Sequence, residues 1–312
     1  MDCFYSDTFE LPLPPGHRFP MQKYRLLREQ IARSKNIQCK LRIPPAATIE
    51  QLLRVHTDDY LDRVINGKLS ALEQRRIGFP WSEKMVQRSR RSTGATIAAA
   101  QSALQDSIGL NLAGGTHHAF ADNGQGFCVF NDVCVAIRSL QAEQLIQTAL
   151  VVDCDVHQGN GTGSITAGDE SVFSMSIHCE KNYPFQKTNS DLDIALPPGT
   201  SDATYLWELD TNLARIHDRF VPDIVFYLAG ADPFAGDRLG LMNLSKPGLR
   251  KRDDRVISNC QVRGIPLVIC MAGGYAAEVD DIVDIHFATV VSAYEHLYSR
   301  RRLADKTTCQ DS

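Results

Sequence analysis

The sequence predicts an α/β protein: a single open parallel sheet flanked by helices on both faces. Three observations predict it. Apolar runs of strand length alternate with longer helical stretches, as in strand–helix–strand units. Runs such as Ala149–Val152 are apolar throughout, which suits strands covered on both faces. Five runs also end in glycine turns or titratable side chains, and ligands of open parallel sheets bind beyond the carboxyl ends of the strands.

Cys3–Tyr5 is the first short strand. LPLPPG at Leu11–Gly16 is a loop, and Pro20 suits the start of a helix over Met21–Ser34. Cys39–Ile43 alternates and is stopped by Pro44 and Pro45. Thr48 and Gln51 form a capping box for a short helix, and Thr57 caps the next. Gly78–Trp81 is a loop in which Trp81 serves as an anchor or a pocket wall. Ser82 caps a long helix to about Leu104, whose Ala, Ser and Gly94 content suggests close packing. Gly109–Leu112 is a strand, Asn131–Gln141 a helix and Ala149–Asp153 a strand. Strands at Val172–Ile177, Asp223–Leu228 and Pro266–Met271 then alternate with helices at Ser201–Arg219, Ser245–Arg263 and Ala276–Tyr298. There is no repeat, low-complexity tract or linker. The reading is one domain over residues 1–312, fraying beyond Asp305.

Composition excludes several classes. The chain has 312 residues, 43% of them hydrophobic, enough for a large core. A net charge of −4 argues against a general nucleic-acid or membrane-surface binder. The runs Arg88–Arg91 and Arg300–Arg302 read as solvated helix faces or ends. Nine cysteines, an odd number without a CxxC pair, read as reduced thiols in a cytoplasmic protein. The first residues lack a signal-peptide pattern, and no apolar run reaches membrane-spanning length.

The chemistry gathers at the strand ends. After Ala149–Val152 come Asp153, Asp155 and His157 at alternate positions, so in extended backbone they leave on one side. Carboxylate oxygen and imidazole nitrogen both ligate Zn²⁺ and other first-row divalent metals. Asp232, following the strand Asp223–Leu228, supplies a third ligand. Two carboxylates and one imidazole leave positions open for water and substrate, and would accept Fe²⁺ as well as Zn²⁺. Gly114 and Gly115 present His117 and His118, which we assign to proton transfer. His178 follows Val172–Ile177, and Tyr275 follows two glycines after Pro266–Met271, where its phenol can reach a substrate carbonyl.

These residues resemble the zinc-dependent histone deacetylases of the arginase–deacetylase superfamily. The likeness runs from about Cys3 to Tyr298. It is carried by GGTHHAF at Gly114–Phe120, GFCVFND at Gly126–Asp132 and DCDVHQGNG at Asp153–Gly161. SIH at Ser176–His178, GADPFAGD at Gly230–Asp237 and AGGYA at Ala272–Ala276 complete it. HQGNG and the opening GHRFPMQKYRLLRE look most like the class IV branch and its bacterial relatives. The resemblance implies the arginase–deacetylase fold and a deacylase that hydrolyses acyl-lysine amides, acetyl or longer fatty acyl, with longer groups removed faster. It implies Zn²⁺ on Asp155, His157 and Asp232, with His118 as general base and later acid. His117 becomes a mainly electrostatic imidazole oriented by Asp153, and Tyr275 donates to the acyl oxygen. Gly126, Phe127, Tyr183 and Gly273 line the acyl-lysine tunnel, with Tyr183 opposite Phe127. A structural K⁺ would be held by Asp153, Ser176 and the carbonyls of Asp155, His157 and Ile177.

Two departures stand out. Asn160 occupies a position where many members carry Asp, so it orients His118 without adding charge. The loop Met271–Tyr275 has fewer glycines than usual but keeps Gly273 and Gly274. Arginase-like relatives hold two metals with D-x-H-x-D and D-x-D; here Gly159 and Phe234 replace the required acids, favouring one metal. Small acylated amines such as acetylpolyamines are the alternative substrates, and a non-catalytic acyl-lysine reader is a third reading. No nucleic-acid partner is expected.

Overall fold

The computed structural model describes residues 1–9 and 11–308, and for 299–308 the helical backbone only. Among the described residues eight strands form one sheet, with every pairing parallel. In chain order the first half is β1 (Asp2–Phe4), α1 (Gln22–Arg33), β2 (Lys40–Arg42), α2 (Ile49–Leu53), α3 (Asp58–Ile65), α4 (Ala71–Ile77), α5 (Glu83–Asp106), β3 (Ile108–Asn111) and α6 (Asp132–Ala142). The second half is β4 (Ala149–Asp153), α7 (Asn160–Thr166), β5 (Val172–Cys179), β6 (Leu192–Leu196), α8 (Asp202–His217), β7 (Ile224–Leu228), α9 (Lys246–Arg263), β8 (Leu267–Cys270) and α10 (Val279–Thr308).

The sheet order is β2-β1-β3-β8-β7-β4-β5-β6. This makes β3, β8, β7 and β4 spatial neighbours, although they come from distant parts of the chain. The loops leaving their carboxyl ends therefore meet, and those loops carry the titratable residues.

Strand alternation divides the core into two layers. In β7, Val225 and Tyr227 face the layer containing Leu27, Leu209, Val256 and Ile282 from α1, α8, α9 and α10. Ile224, Phe226 and Leu228 face the layer containing Leu52, Tyr60, Met85 and Val133 from α2, α3, α5 and α6. Burying both faces explains why these strands are apolar throughout. Truncating a fully buried residue such as Leu228 to Ala would cost about 2–5 kcal/mol.

Local signals set the helix starts. Thr48 and Gln51 make both halves of the capping box, and Thr57, Ser82, Asn131 and Ser245 accept backbone N–H bonds as caps. Close packing at Gly94 is real: a Cβ there would lie 2.0 Å from the Pro45 carbonyl oxygen. Trp81 is an anchor, donating from Nε1 to the Val64 carbonyl at 2.7 Å.

The structure corrects several boundaries. His178 does not follow its strand but lies inside β5, buried and bonded to Ser176 Oγ at 3.0 Å. Asn160 and Gly161, at the end of DCDVHQGNG, open α7, a helix not predicted from the sequence. α4 and β6 were not expected. The last helix starts at Val279 rather than Ala276 and runs to Thr308. The fraying expected beyond Asp305 concerns side chains, and from 309 a backbone, outside the described residues.

Candidate active site

Asp155 and His157 lie just past β4, and Asp232 lies four residues past β7, the strand paired with it. Their ligand atoms all lie within 4.8 Å of one another, and all three residues are buried. His157 Nδ1 is 2.9 Å from Asp155 Oδ1 and 3.3 Å from Asp232 Oδ2. The other carboxylate oxygens are held by backbone. Val156 N donates to Asp232 Oδ1 at 3.0 Å, and Gly273 N to Asp155 Oδ2 at 2.8 Å.

This cluster fits a divalent cation. Asp232 Oδ2 is buried and accepts no hydrogen bond, an arrangement that ordinarily needs a partner. Gly273 leaves the space beside it: a Cβ there would lie 1.9 Å from Asp232 Oδ2 and 2.5 Å from Asp155 Oδ2. Burial, then the neighbouring Asp155 charge, pushes the Asp232 carboxyl up to about 7. Burial opposes the charged form of His157, but the two carboxylates outweigh it and raise the imidazole to about 10. A metal taking this nitrogen displaces its proton. The donor set, two carboxylates and one imidazole, suits zinc with positions left for water and substrate.

The two adjacent histidines have different partners. His117 Nδ1 donates to Asp153 Oδ2 at 2.6 Å, while Asp153 Oδ1 accepts from Asp155 N at 3.1 Å. Burial disfavours the charged His117 ring, but Asp153 and Asp155 reverse this and raise it to about 9. His118 Nδ1 donates to the neutral Asn160 Oδ1 at 2.7 Å. Burial and the charges on His117 and His157 hold His118 well below the usual imidazole range. The rings are 4.1 Å apart between centroids. One imidazole is thus suited to hold a proton and the other to accept one. Asn160→Asp would place a negative charge beside Nδ1, favour the imidazolium and raise the His118 pKa. If neutral His118 is the base, the acid limb of the kcat/KM profile should move to higher pH in that variant.

Gly126, Phe127, Tyr183, Gly273 and Tyr275 all line a cavity of about 610 Å³ whose floor includes Asp155, His157, His117 and His118. Gly126 has φ +57°, and a Cβ there would lie 2.5 Å from His118 Cδ2. Phe127 packs on Phe19 and Phe79, with centroids 5.2 and 5.3 Å away. Tyr183 sets its ring edge-on to His118 at 4.9 Å and bonds through its hydroxyl to Gln125. Tyr275 lies 5.8 Å from Phe127 and 6.4 Å from His157 between centroids. Asp153 and Ser176, expected around a monovalent cation, are register partners in β4 and β5, and Ile177 follows in β5.

Sequence reasoning missed the residues that hold these groups. Asp237 Oδ2 accepts from Tyr275 N at 2.5 Å, and Arg238 Nε donates to the Tyr275 carbonyl at 3.1 Å. Lys23 is buried in α1; its ammonium donates to the carbonyls of Gly274 and Ala272 at 3.2 and 3.4 Å and lies 5.3 Å from the Tyr275 ring centre. Asp132 accepts from Gly115 N and Thr116 N at 3.0 and 2.7 Å, fixing the turn before the histidines. GADPFAGD contained Asp237 and GFCVFND contained Asp132. GHRFPMQKYRLLRE contained Lys23, in an amphipathic helix, without marking it as buried.

At the carboxyl edge of the sheet, paired histidines stand beside a buried cluster of two carboxylates and one imidazole, an arrangement suited to metal-assisted hydrolysis. Residues 17–290 match the family described as histone deacetylase domain. The chain belongs to the zinc-dependent histone deacetylase family of the arginase–deacetylase superfamily and is a hydrolase acting on amides. It is 43% identical over 286 residues to an uncharacterized protein of the cyanobacterium Picosynechococcus, covering 90% of this chain and 94% of that one. It is 32% identical over 291 residues to histone deacetylase 2 of Arabidopsis thaliana, covering 88% and 74%. The crystal structure of an HDAC homolog complexed with SAHA superposes with a TM-score of 0.79 at 24% identity, covering 96% of this chain and 88% of that one, a likeness of fold.

Proposed function

We propose that the protein removes acyl groups from lysine side chains of proteins or peptides, with Asp155, His157 and Asp232 as zinc ligands. The observation that carries this reading is the pair of unlike imidazoles beside the carboxylate–imidazole cluster on the floor of one aromatic-walled cavity. When bound, zinc lowers the pKa of a water and polarises the acyl carbonyl.

The protein's own groups supply the rest. His118, with its Nδ1 proton held by Asn160, accepts at Nε2 the proton of the attacking water. It returns a proton to the leaving amine, which is a poor leaving group unless protonated. His117, charged through Asp153, stabilises negative charge developing at the acyl carbon's oxygen. The Tyr275 hydroxyl donates to that oxygen, and burial keeps the phenol protonated for this role. Phe127 and Tyr183 enclose the lysine methylenes and exclude water. K⁺ beside Asp153 and Ser176 would stiffen the loop carrying Asp155 and His157.

Class IV-like features, HQGNG above all, support removal of long acyl groups. Eight described cysteines are free thiols, and none of the described helices is long and apolar enough to cross a membrane. The free thiols accord with a reducing compartment, and the likeness to the Picosynechococcus protein with a bacterial source. The test is turnover of one lysine peptide carrying acetyl through myristoyl groups. We expect hydrolysis across the series, fastest for the long chains. Faster acetyl turnover would remove the chain-length reading, and no turnover of any member would remove the lysine reading and bring acetylpolyamines forward.

A further inference from the structure

The mouth of the catalytic cavity carries four cations from three separate segments. Arg18 precedes Phe19, Arg75 and Arg76 end α4, and Lys181 leads into Tyr183; all four line the cavity and are exposed. Among the described residues none of the four has an ion-pair partner. Arg63 and Lys246, by contrast, pair with Glu73 and Asp281. Among the described residues the only carboxylate lining the cavity is Asp155, at its floor.

These cations stand on fixed supports. The Arg76 and Ile77 carbonyls accept from Gly126 N at 3.0 Å and Phe127 N at 2.7 Å, tying the end of α4 to the tunnel wall. His17, beside Arg18, bonds through Nε2 to the Gly78 carbonyl at 2.9 Å. Asn182, beside Lys181, is buried and accepts from Leu241 N at 3.0 Å. The chain as a whole carries −4, so this concentration of positive charge runs against the average. Unpaired charge of one sign around a low-dielectric cleft raises the local concentration of ligands of opposite sign and repels like charge.

We propose that the mouth selects acyl-lysines flanked by carboxylates, holding an acidic peptide segment against Arg18, Arg75, Arg76 and Lys181. This rests on the lysine-deacylase reading and sharpens it: polycationic acylated amines and lysine-rich tails are disfavoured.

The experiment compares two peptides with the same acyl-lysine, one flanked by Asp and Glu, the other by Lys and Arg. Turnover is measured on the zinc-loaded protein and binding, by fluorescence anisotropy, on its Tyr275→Phe variant. The acidic peptide should win in kcat/KM on the order of tenfold, mostly through KM. The advantage should shrink as salt is raised. Combined R75E, R76E and K181E changes should reverse the order of the two peptides, and R76Q alone should narrow the gap. Equal values, or preference for the basic peptide, with turnover intact would overturn the charge selection alone. Should neither peptide be hydrolysed, the deacylase reading falls, and anisotropy still decides the mouth: tighter acidic binding sustains it, equal binding overturns it.

Discussion

Asp232→Asn should strip the protein of zinc and lower amide hydrolysis by about 10³-fold or more. The change is nearly isosteric and leaves Oδ1 able to accept from Val156 N at 3.0 Å, so the fold should survive. What disappears is the charge on the unbonded Oδ2, the atom that most needs a cation. A bound metal contributes several kcal/mol of transition-state stabilisation, and each 1.36 kcal/mol is about tenfold in rate. Zinc content after dialysis and turnover of an acyl-lysine peptide are the readouts. Retained zinc with full activity would place the metal elsewhere.

His118→Ala should lower kcat by about 10²–10⁴-fold while zinc content stays near that of the unaltered protein. His118 is not among the clustered ligand residues, and its ring is bonded to Asn160 rather than to a carboxylate. His117 cannot replace it. That ring donates to Asp153 and is raised to about 9, so at neutral pH it already holds a proton. The expected signature is loss in kcat with little change in KM. A His118→Ala enzyme within a few-fold of normal activity, with His117→Ala inactive, would exchange the two roles.

Much of this site was legible because its residues are close in sequence. Asp153, Asp155 and His157 follow one strand, and His117 and His118 follow another, so strand ends alone brought them to one edge. Asp232 and Tyr275 follow two further strands and were read from those strand ends too; the sheet order, which makes β7 and β8 neighbours of β4 and β3, brings them to the same edge. What was missed has physical causes. α4 carried a Ser70 and Glu73 capping box, but its seven residues are too few for a periodic apolar face. β6 is a short edge strand with only Ile194 and Leu196 buried, and its pairing with β5 is what makes it a strand. α7 reads NGTGSIT, a poor helix former. Its glycines are there for space, since a Cβ on Gly161 would lie 2.3 Å from the Ala119 carbonyl oxygen. Lys23 is a buried ammonium satisfied by backbone carbonyls; it lies within GHRFPMQKYRLLRE, but nothing in that stretch shows which of its cations is buried.

The proposed site holds one catalytic zinc per chain, on Asp155, His157 and Asp232. It is tested most directly by adding zinc stepwise to chelator-stripped protein while following hydrolysis of an acyl-lysine peptide. Activity should rise from near zero and level off at one equivalent per chain. Full activity before any metal is added, or a rise that continues to two equivalents, would contradict it.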